Sequence, residues 1–194
     1  MINQLLFADD TALVADSCER DVIHRKNEGY RAWGALNSVL SNRGLGIKAK
    51  LCLYEGVIVP AVLYGAKAWG TRTAERRKVN VLEMKCLRNL VGVSRRDRVR
   101  NEEVRRRAGI EMELASKADQ RVLTWFGHVE RMDEYRMARR VLMAEVSRGQ
   151  VRGRSRLGWM DGVKVALGNR GMTWRLRVNV RKIGKSGEPW YICN

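Results

Sequence analysis

With 194 residues, 45% of them hydrophobic, the chain has material for one folded domain, or for a fragment joined to a helical module, which excludes disorder throughout. Lysine and arginine outnumber aspartate and glutamate by 38 to 21, a formal charge of +17. Such an excess calls for a polyanion, and its arginine bias favours nucleic acid over an anionic membrane surface, because the planar guanidinium matches phosphate oxygens and stacks on bases.

In chain order, Ile2 to Ala15 places two short apolar runs around Ala8-Asp9-Asp10-Thr11, which predicts a β-hairpin. After Ser17 the apolar period becomes helical. Val22, Tyr30, Trp33 and Leu40 predict a helix over about Glu19 to Ser41, weakened by Gly29 and Gly34 and stopped by Asn42-Arg43-Gly44. A second helix is expected from Ile47 toward Trp69, burying Leu51, Tyr54, Ile58 and Leu63 and kinking near Pro60. Thr73 caps a third, with Glu75 in its positive first turn, Val79, Leu82, Cys86, Leu87 and Leu90 facing inward, and Gly92 closing it.

Asn101 is read as the cap of a short helix through Ala108, stopped by Gly109, and Leu114, Ala118, Val122, Trp125, Val129 and Met132 stripe a longer one. A helix over about Tyr135 to Val146 follows. From Arg148 to Arg156 arginines alternate with small and polar residues without an apolar face, which predicts an exposed basic loop. Trp159 to Leu167 forms a last short helix. Beyond Gly171 the period becomes two, with Trp174, Leu176, Val178 and Val180 opposite Arg175, Arg177, Asn179 and Arg181, so a terminal strand is expected with the tail Trp190 to Ile192 as its one available partner. The expected fold class is mainly α: a short N-terminal hairpin over residues 1–18, a helical module over 19–172, and a divergent tail over 173–194.

Cys18, Cys52, Cys86 and Cys193 lie far apart with no C-x-x-C pair, and only His24 and His128 could join them, which disfavours a zinc site. Without an apolar signal region, the thiols read as reduced residues of an intracellular protein, in nucleus or cytoplasm. No membrane span is expected, since the longest apolar run, Val57 to Ala68, is broken by Pro60, Tyr64, Gly65 and Lys67.

The residues with the clearest chemical content are Asp9 and Asp10. Adjacent carboxylates raise one another's pKa unless a cation sits opposite, and phosphoryl-transfer enzymes place such pairs under magnesium; the plain alternative is ordinary turn material. Their surroundings go further. Phe7-Ala8-Asp9-Asp10-Thr11-Ala12-Leu13-Val14 resembles the aromatic-Ala-Asp-Asp box of reverse transcriptases from retrotransposons lacking long terminal repeats. The resemblance continues through Gly29-Tyr30-Arg31-Ala32-Trp33, Leu63-Tyr64-Gly65-Ala66-Lys67-Ala68-Trp69, Leu87-Arg88-Asn89-Leu90, Trp125-Phe126-Gly127-His128-Val129-Glu130-Arg131 and Gly153-Arg154-Ser155-Arg156 with Trp159 and Asp161, covering roughly Leu5 to Met172.

That resemblance implies an RNA-directed DNA polymerase in which Asp9 and Asp10 hold magnesium in a palm hairpin, while the following helices form a thumb and connector that grip template and primer. The sequence also departs from the family pattern. It opens just before the box, so the fingers and the palm strand with a further metal-binding aspartate are expected to be absent. Only about Asp16 to Asp21 stands where family members carry a further palm stretch and a primer grip, which reads as an internal deletion. Positioning supplies much of the rate in phosphoryl transfer, so the chain alone is expected to be inactive and to bind magnesium weakly.

Two arginine clusters are the candidate contacts to RNA or DNA: Arg95, Arg96, Arg98, Arg100, Arg105, Arg106 and Arg107, then Arg148, Arg152, Arg154 and Arg156. Solvated faces partly offset by Asp97, Glu102 and Glu103 are the plain alternative. Trp33, Trp69, Trp125 and Trp159 fall on or beside apolar stripes and read as core; Phe126, off the stripe, is expected to be exposed. His128 reads as a packing or capping residue, Cys86 as core, and Asp161 as a lone acid too isolated for nuclease chemistry. Two rival readings stand beside the polymerase fragment. One is a sequence-tolerant nucleic-acid-binding module; the other is an interaction protein whose partner covers the uncovered side of the hairpin.

Overall fold

The computed structural model describes residues 3–7, 10–14, 18–70, 73–143 and 158–172, with side chains from Glu19 onward. Helix α1 (Cys18–Leu40) opens with Glu19 and Asp21 in its positive first turn and buries Val22 and Leu40 completely. Gly29 explains its own presence in mid-helix. A Cβ there would lie 2.6 Å from Leu82 Cδ2 and overlap Val62, so the missing side chain lets α1 settle against the neighbouring helices.

The expected second helix is not continuous to Trp69. It comprises α2 (Ile47–Leu53), a wider π-type turn at Tyr54–Ile58 and α3 (Val59–Leu63). Pro60 has no amide to offer the Gly56 carbonyl, and the chain widens just ahead of it, with the Val59 amide bonding the Tyr54 carbonyl five residues back. The helical run then ends at Leu63. Tyr64 (φ −61°, ψ 128°) and Gly65 (φ 71°, ψ 2°) form a type II turn, whose third position requires the positive φ that glycine adopts freely. A single 3-10 turn at Ala66–Ala68 follows and delivers Trp69, only 1% exposed, into the core from a non-helical position.

Helix α4 (Thr73–Val91) is the axis of the bundle, packed against α1 and α2 and followed by α5 (Asn101–Ala108) and α6 (Leu114–Glu130), which it also contacts. Its stripe of Val79, Leu82, Cys86, Leu87 and Leu90 is buried as expected. At α5 the cap position falls on Arg100, with Asn101 the first helical residue, and Gly109 (φ 74°) stops the helix. Helix α7 (Met137–Met143) begins two residues after Tyr135, and α8 (Trp159–Gly168) packs on α6. The α8 junction is close-fitting, because Gly162 sits against the Gly70 backbone.

The expected fold class is corrected. The described body from Cys18 to Met172 is helical throughout, and neither strand nor sheet belongs to it. Residues Asn3–Phe7 and Asp10–Val14 pair antiparallel, Phe7 opposite Asp10, but among the described residues this ribbon makes no substantial packing contact with any helix. Two five-residue strands without a third strand or a covering helix are marginal in water, so they do not form a sheet layer of the fold. The terminal strand expected near residues 174–180 lies outside the described residues. Phe126 also departs from expectation: it is partly buried and its ring lies 6.2 Å from that of Trp159, because α8 covers the side of α6 that the single stripe left open. Trp33 and Trp159 likewise pack against the core without full burial. Among the described residues no helix is long and apolar enough to cross a membrane.

Candidate nucleic-acid interface

The connection from Val91 to Asn101 is short, cationic and held from below. Arg88, in the last turn of α4, donates from Nη2 to the Val99 carbonyl (2.8 Å) and to Asn101 Oδ1 (2.9 Å). The Asp97 carboxylate accepts the Ser94 amide at 2.6 Å, while the Arg96 amide donates to Ser94 Oγ at 3.2 Å. Those bonds from Ser94, backbone first and hydroxyl second, hold the Asp97 carboxyl below its ordinary range. Arg98 takes a left-handed backbone (φ 51°), uncommon for a residue with a side chain. The result is a tight loop that presents Arg95, Arg96, Arg98 and Arg100, all exposed.

Beside this loop, α1 and α4 bring together residues that sequence reasoning did not combine. Lys85 Nζ lies 4.3 Å from the centroid of the Trp33 ring and 5.1 Å from that of Tyr30. Tyr30, Trp33, Lys85, Arg95 and Arg98 share one open groove of about 1140 Å³. The signal was present in part: Tyr30 and Trp33 are three apart and so share a helix face. Lys85 reaches them only through the packing of α4 on α1.

The rest of the first arginine cluster is already engaged. Arg105, 11% exposed, donates from Nη2 to Glu83 Oε2 at 2.9 Å and pairs through Nη1 with Glu113 at 3.0 Å. Arg106 and Arg107 both bond the Glu103 carboxylate, their Nε atoms each 2.7 Å from it. The Arg106 bond, with that of Arg107 second, brings the Glu103 carboxyl down to about 2. A phosphate approaching Arg106 or Arg107 would have to compete with that carboxylate, whereas at Arg105 it would have to dismantle a buried tie. Arg148, Arg152, Arg154 and Arg156 lie outside the described residues.

Asp9 also lies outside them, and of Asp10 the backbone position alone is described, at the first residue of the second strand. Among the described residues no group of three or more His, Cys, Asp or Glu side chains could hold a metal ion. The carboxylates expected to hold magnesium, Asp9 and Asp10, fall outside the side chains that the structure describes. His128 is exposed on α6, its ring 5.4 Å from that of Trp125. Cys86 is 1% exposed and burial pushes its thiol up to about 12, far from a reactive thiolate. Asp161 accepts the Gly158 amide at 2.9 Å and thereby caps α8, which accounts for it without nuclease chemistry.

Compared with known proteins, the chain is similar to a Caenorhabditis elegans protein whose name describes it as uncharacterized and transposon-derived. The two are 25% identical over 177 residues, 87% of this chain and 62% of that protein. The chain thus spans 62% of the length of the relative it matches. No family model matches the chain, and no solved structure does. The similarity is weak and is consistent with a transposable-element origin.

Proposed function

We propose that this chain is a non-catalytic reverse-transcriptase fragment from a retrotransposon lacking long terminal repeats, and that its helical body binds RNA or DNA through the loop at residues 94–100. The ordered resemblance from Phe7-Ala8-Asp9-Asp10 to Trp159 and Asp161 supports the ancestry, and the transposon-derived relative supports its coarser part. Residues 15–17 alone separate Val14 from α1, leaving no room for the further palm stretch that the family's chemistry uses. A chain lacking that stretch cannot align primer, template and nucleotide.

The observation that carries the binding reading is the array of Arg95, Arg96, Arg98 and Arg100, exposed on a loop that Arg88 and Asp97 brace, next to Lys85 and two aromatic rings. Fixed cations at this density are relieved by phosphates, which release their condensed counterions on contact. Titration of the purified chain against duplex and RNA–DNA hybrid oligonucleotides is the test. Affinity whose logarithm falls steeply and linearly with the logarithm of salt is expected; no binding at low salt would end this reading. In the same preparation, a primed template with magnesium or manganese is expected to remain unextended. Extension that is lost on substituting Asp9→Asn and Asp10→Asn would overturn the non-catalytic part.

A further inference from the structure

A second groove, of about 1280 Å³, runs between the Tyr64–Gly65 turn and α6, and it shares no lining residue with the groove beside the arginine loop. Its composition is unusual for this molecule. Among the described residues, Lys67, Lys117, Arg121, His128 and Arg131 line it and no aspartate or glutamate does, although Lys117 Nζ pairs with Glu55 just outside it at 3.0 Å. By contrast, the groove beside the arginine loop includes Glu102 and Glu113 in its wall.

The aromatic residues of this second groove are held in place. Tyr64 is 52% exposed, yet three independent features fix it: Gly65 provides the positive φ of its turn, Arg121 Nη1 donates to the Leu63 carbonyl at 2.7 Å, and the Arg25 guanidinium lies 4.5 Å from its ring centroid. Across the groove, Lys67 Nζ lies 5.4 Å from the centroid of the Trp125 ring. A tyrosine exposed in a rigid turn offers a flat apolar face at little further entropy cost, and the cations around it are placed for anions.

We infer that this groove is a subsite for unpaired nucleotides, in which a base stacks on Tyr64 while Lys67 and Arg131 contact the adjoining phosphates. An unpaired strand is the occupant that meets both demands at once: its bases have free faces for an aromatic ring, whereas a duplex hides them in its stack. Lys67, Arg121 and Arg131 in the lining favour a polyanion, and the exposed Tyr64 ring among them favours one that carries flat bases. The inference goes beyond the loop at residues 94–100 and uses different residues, so each can fail alone.

The test is competition binding of the full chain with a twelve-nucleotide oligothymidine strand, a duplex of mixed sequence and polyglutamate. Tyr64→Leu is expected to weaken the single strand about tenfold, in line with the cost of losing one base–aromatic stack, and to leave the duplex unchanged. Tyr64→Phe is expected to bind as the parent does. Should Tyr64→Leu fail to fold, Lys67→Gln with Arg131→Gln provides the same contrast, weakening the single strand while sparing the duplex. Single-strand affinity unaffected by both substitutions, equal losses for strand and duplex, or polyglutamate competing as well as the oligonucleotide would each overturn the inference. Arg95→Gln with Arg98→Gln separates the two surfaces: it is expected to weaken the duplex and spare the single strand. An unchanged duplex affinity there would count against the arginine loop alone.

Discussion

Arg105 on α5 reaches back to Glu83 on α4, Nη2 to Oε2 at 2.9 Å, while Glu83 Oε1 accepts the Leu114 amide at 2.9 Å and so closes the N-terminal end of α6. One buried carboxylate therefore ties three helices. Glu83 is 1% exposed, and removing Arg105 would leave a charge in the core with the Leu114 amide bond but no counter-ion against it. Arg105→Ala is expected to cost about 3 to 5 kcal/mol of unfolding free energy, measured by urea denaturation. A loss below about 1 kcal/mol would show the tie to be energetically idle.

The same carboxylate gives the fold a pH dependence of defined sign. Burial raises the Glu83 carboxyl above its ordinary range, opposed by the hydrogen bond and charge of Arg105. A carboxyl raised in the folded state binds its proton more tightly there than in the unfolded chain. Its contribution to stability is thus fully present below the unfolded pKa and is lost as pH rises through the folded value. Removing Arg105 takes away the group that holds the carboxyl down. The penalty of Arg105→Ala is accordingly expected to be larger near neutrality than at roughly pH 4, close to the ordinary glutamate value. Urea midpoints of parent and variant across that interval measure the difference; a penalty independent of pH would contradict the assignment to Glu83.

Much of the helical body was legible from period alone. The stripe on α4 falls where the spacing put it, as do Leu114, Ala118, Val122 and Val129 on α6, since a residue that recurs every third or fourth place must face one side. Trp125, expected in the core, is instead half-buried at the edge of a groove, and Met132 lies past the end of α6. Local backbone chemistry was harder to read. Pro60 announced an irregularity, but the sequence did not show that the chain would widen ahead of it or that Tyr64–Gly65 would end the helix. Sites were legible as composition and illegible as geometry. The arginines from Arg95 to Arg107 look equivalent in a line of sequence, yet Arg105 is inside the protein and Arg106 and Arg107 share Glu103, because pairing depends on what α4 and α5 bring together. Gly29 looked like a weakness of α1, and its reason is the close approach of Leu82 and Val62.

The contact between Gly70 and Gly162 makes a second stability prediction. A Cβ on Gly162 would overlap the Gly70 Cα and stand 2.9 Å from its carbonyl carbon, and backbone cannot turn aside as a side chain can. Gly162→Ala is expected to cost about 1 to 3 kcal/mol despite alanine's better helix propensity, and to loosen α8 first. Hydrogen exchange at the α8 amides would report it. Gly168→Ala, where nothing lies within 4 Å of the added atom, is the control expected to be neutral or slightly stabilising.

The division of the arginine cluster can be read in a salt titration. Arg95, Arg96 and Arg98 stand exposed on the loop that Arg88 and Asp97 brace, whereas Arg106 and Arg107 bond one shared carboxylate. Each phosphate neutralised on a duplex contributes about 0.9 to the slope of log affinity against log salt. Substituting Arg95, Arg96 and Arg98 by alanine is therefore expected to lower the magnitude of that slope by about 2 to 3 and to weaken binding to all sequences alike, as loss of phosphate contacts does. Replacing Arg106 and Arg107 is expected to change the slope by less than half as much. Glu103 neutralises part of their charge, and its carboxyl, held at about 2, stays ionised throughout the working range. Equal slope changes from the two sets would mean that Glu103 releases its arginines to the nucleic acid, and the interface would then extend from the loop onto α5.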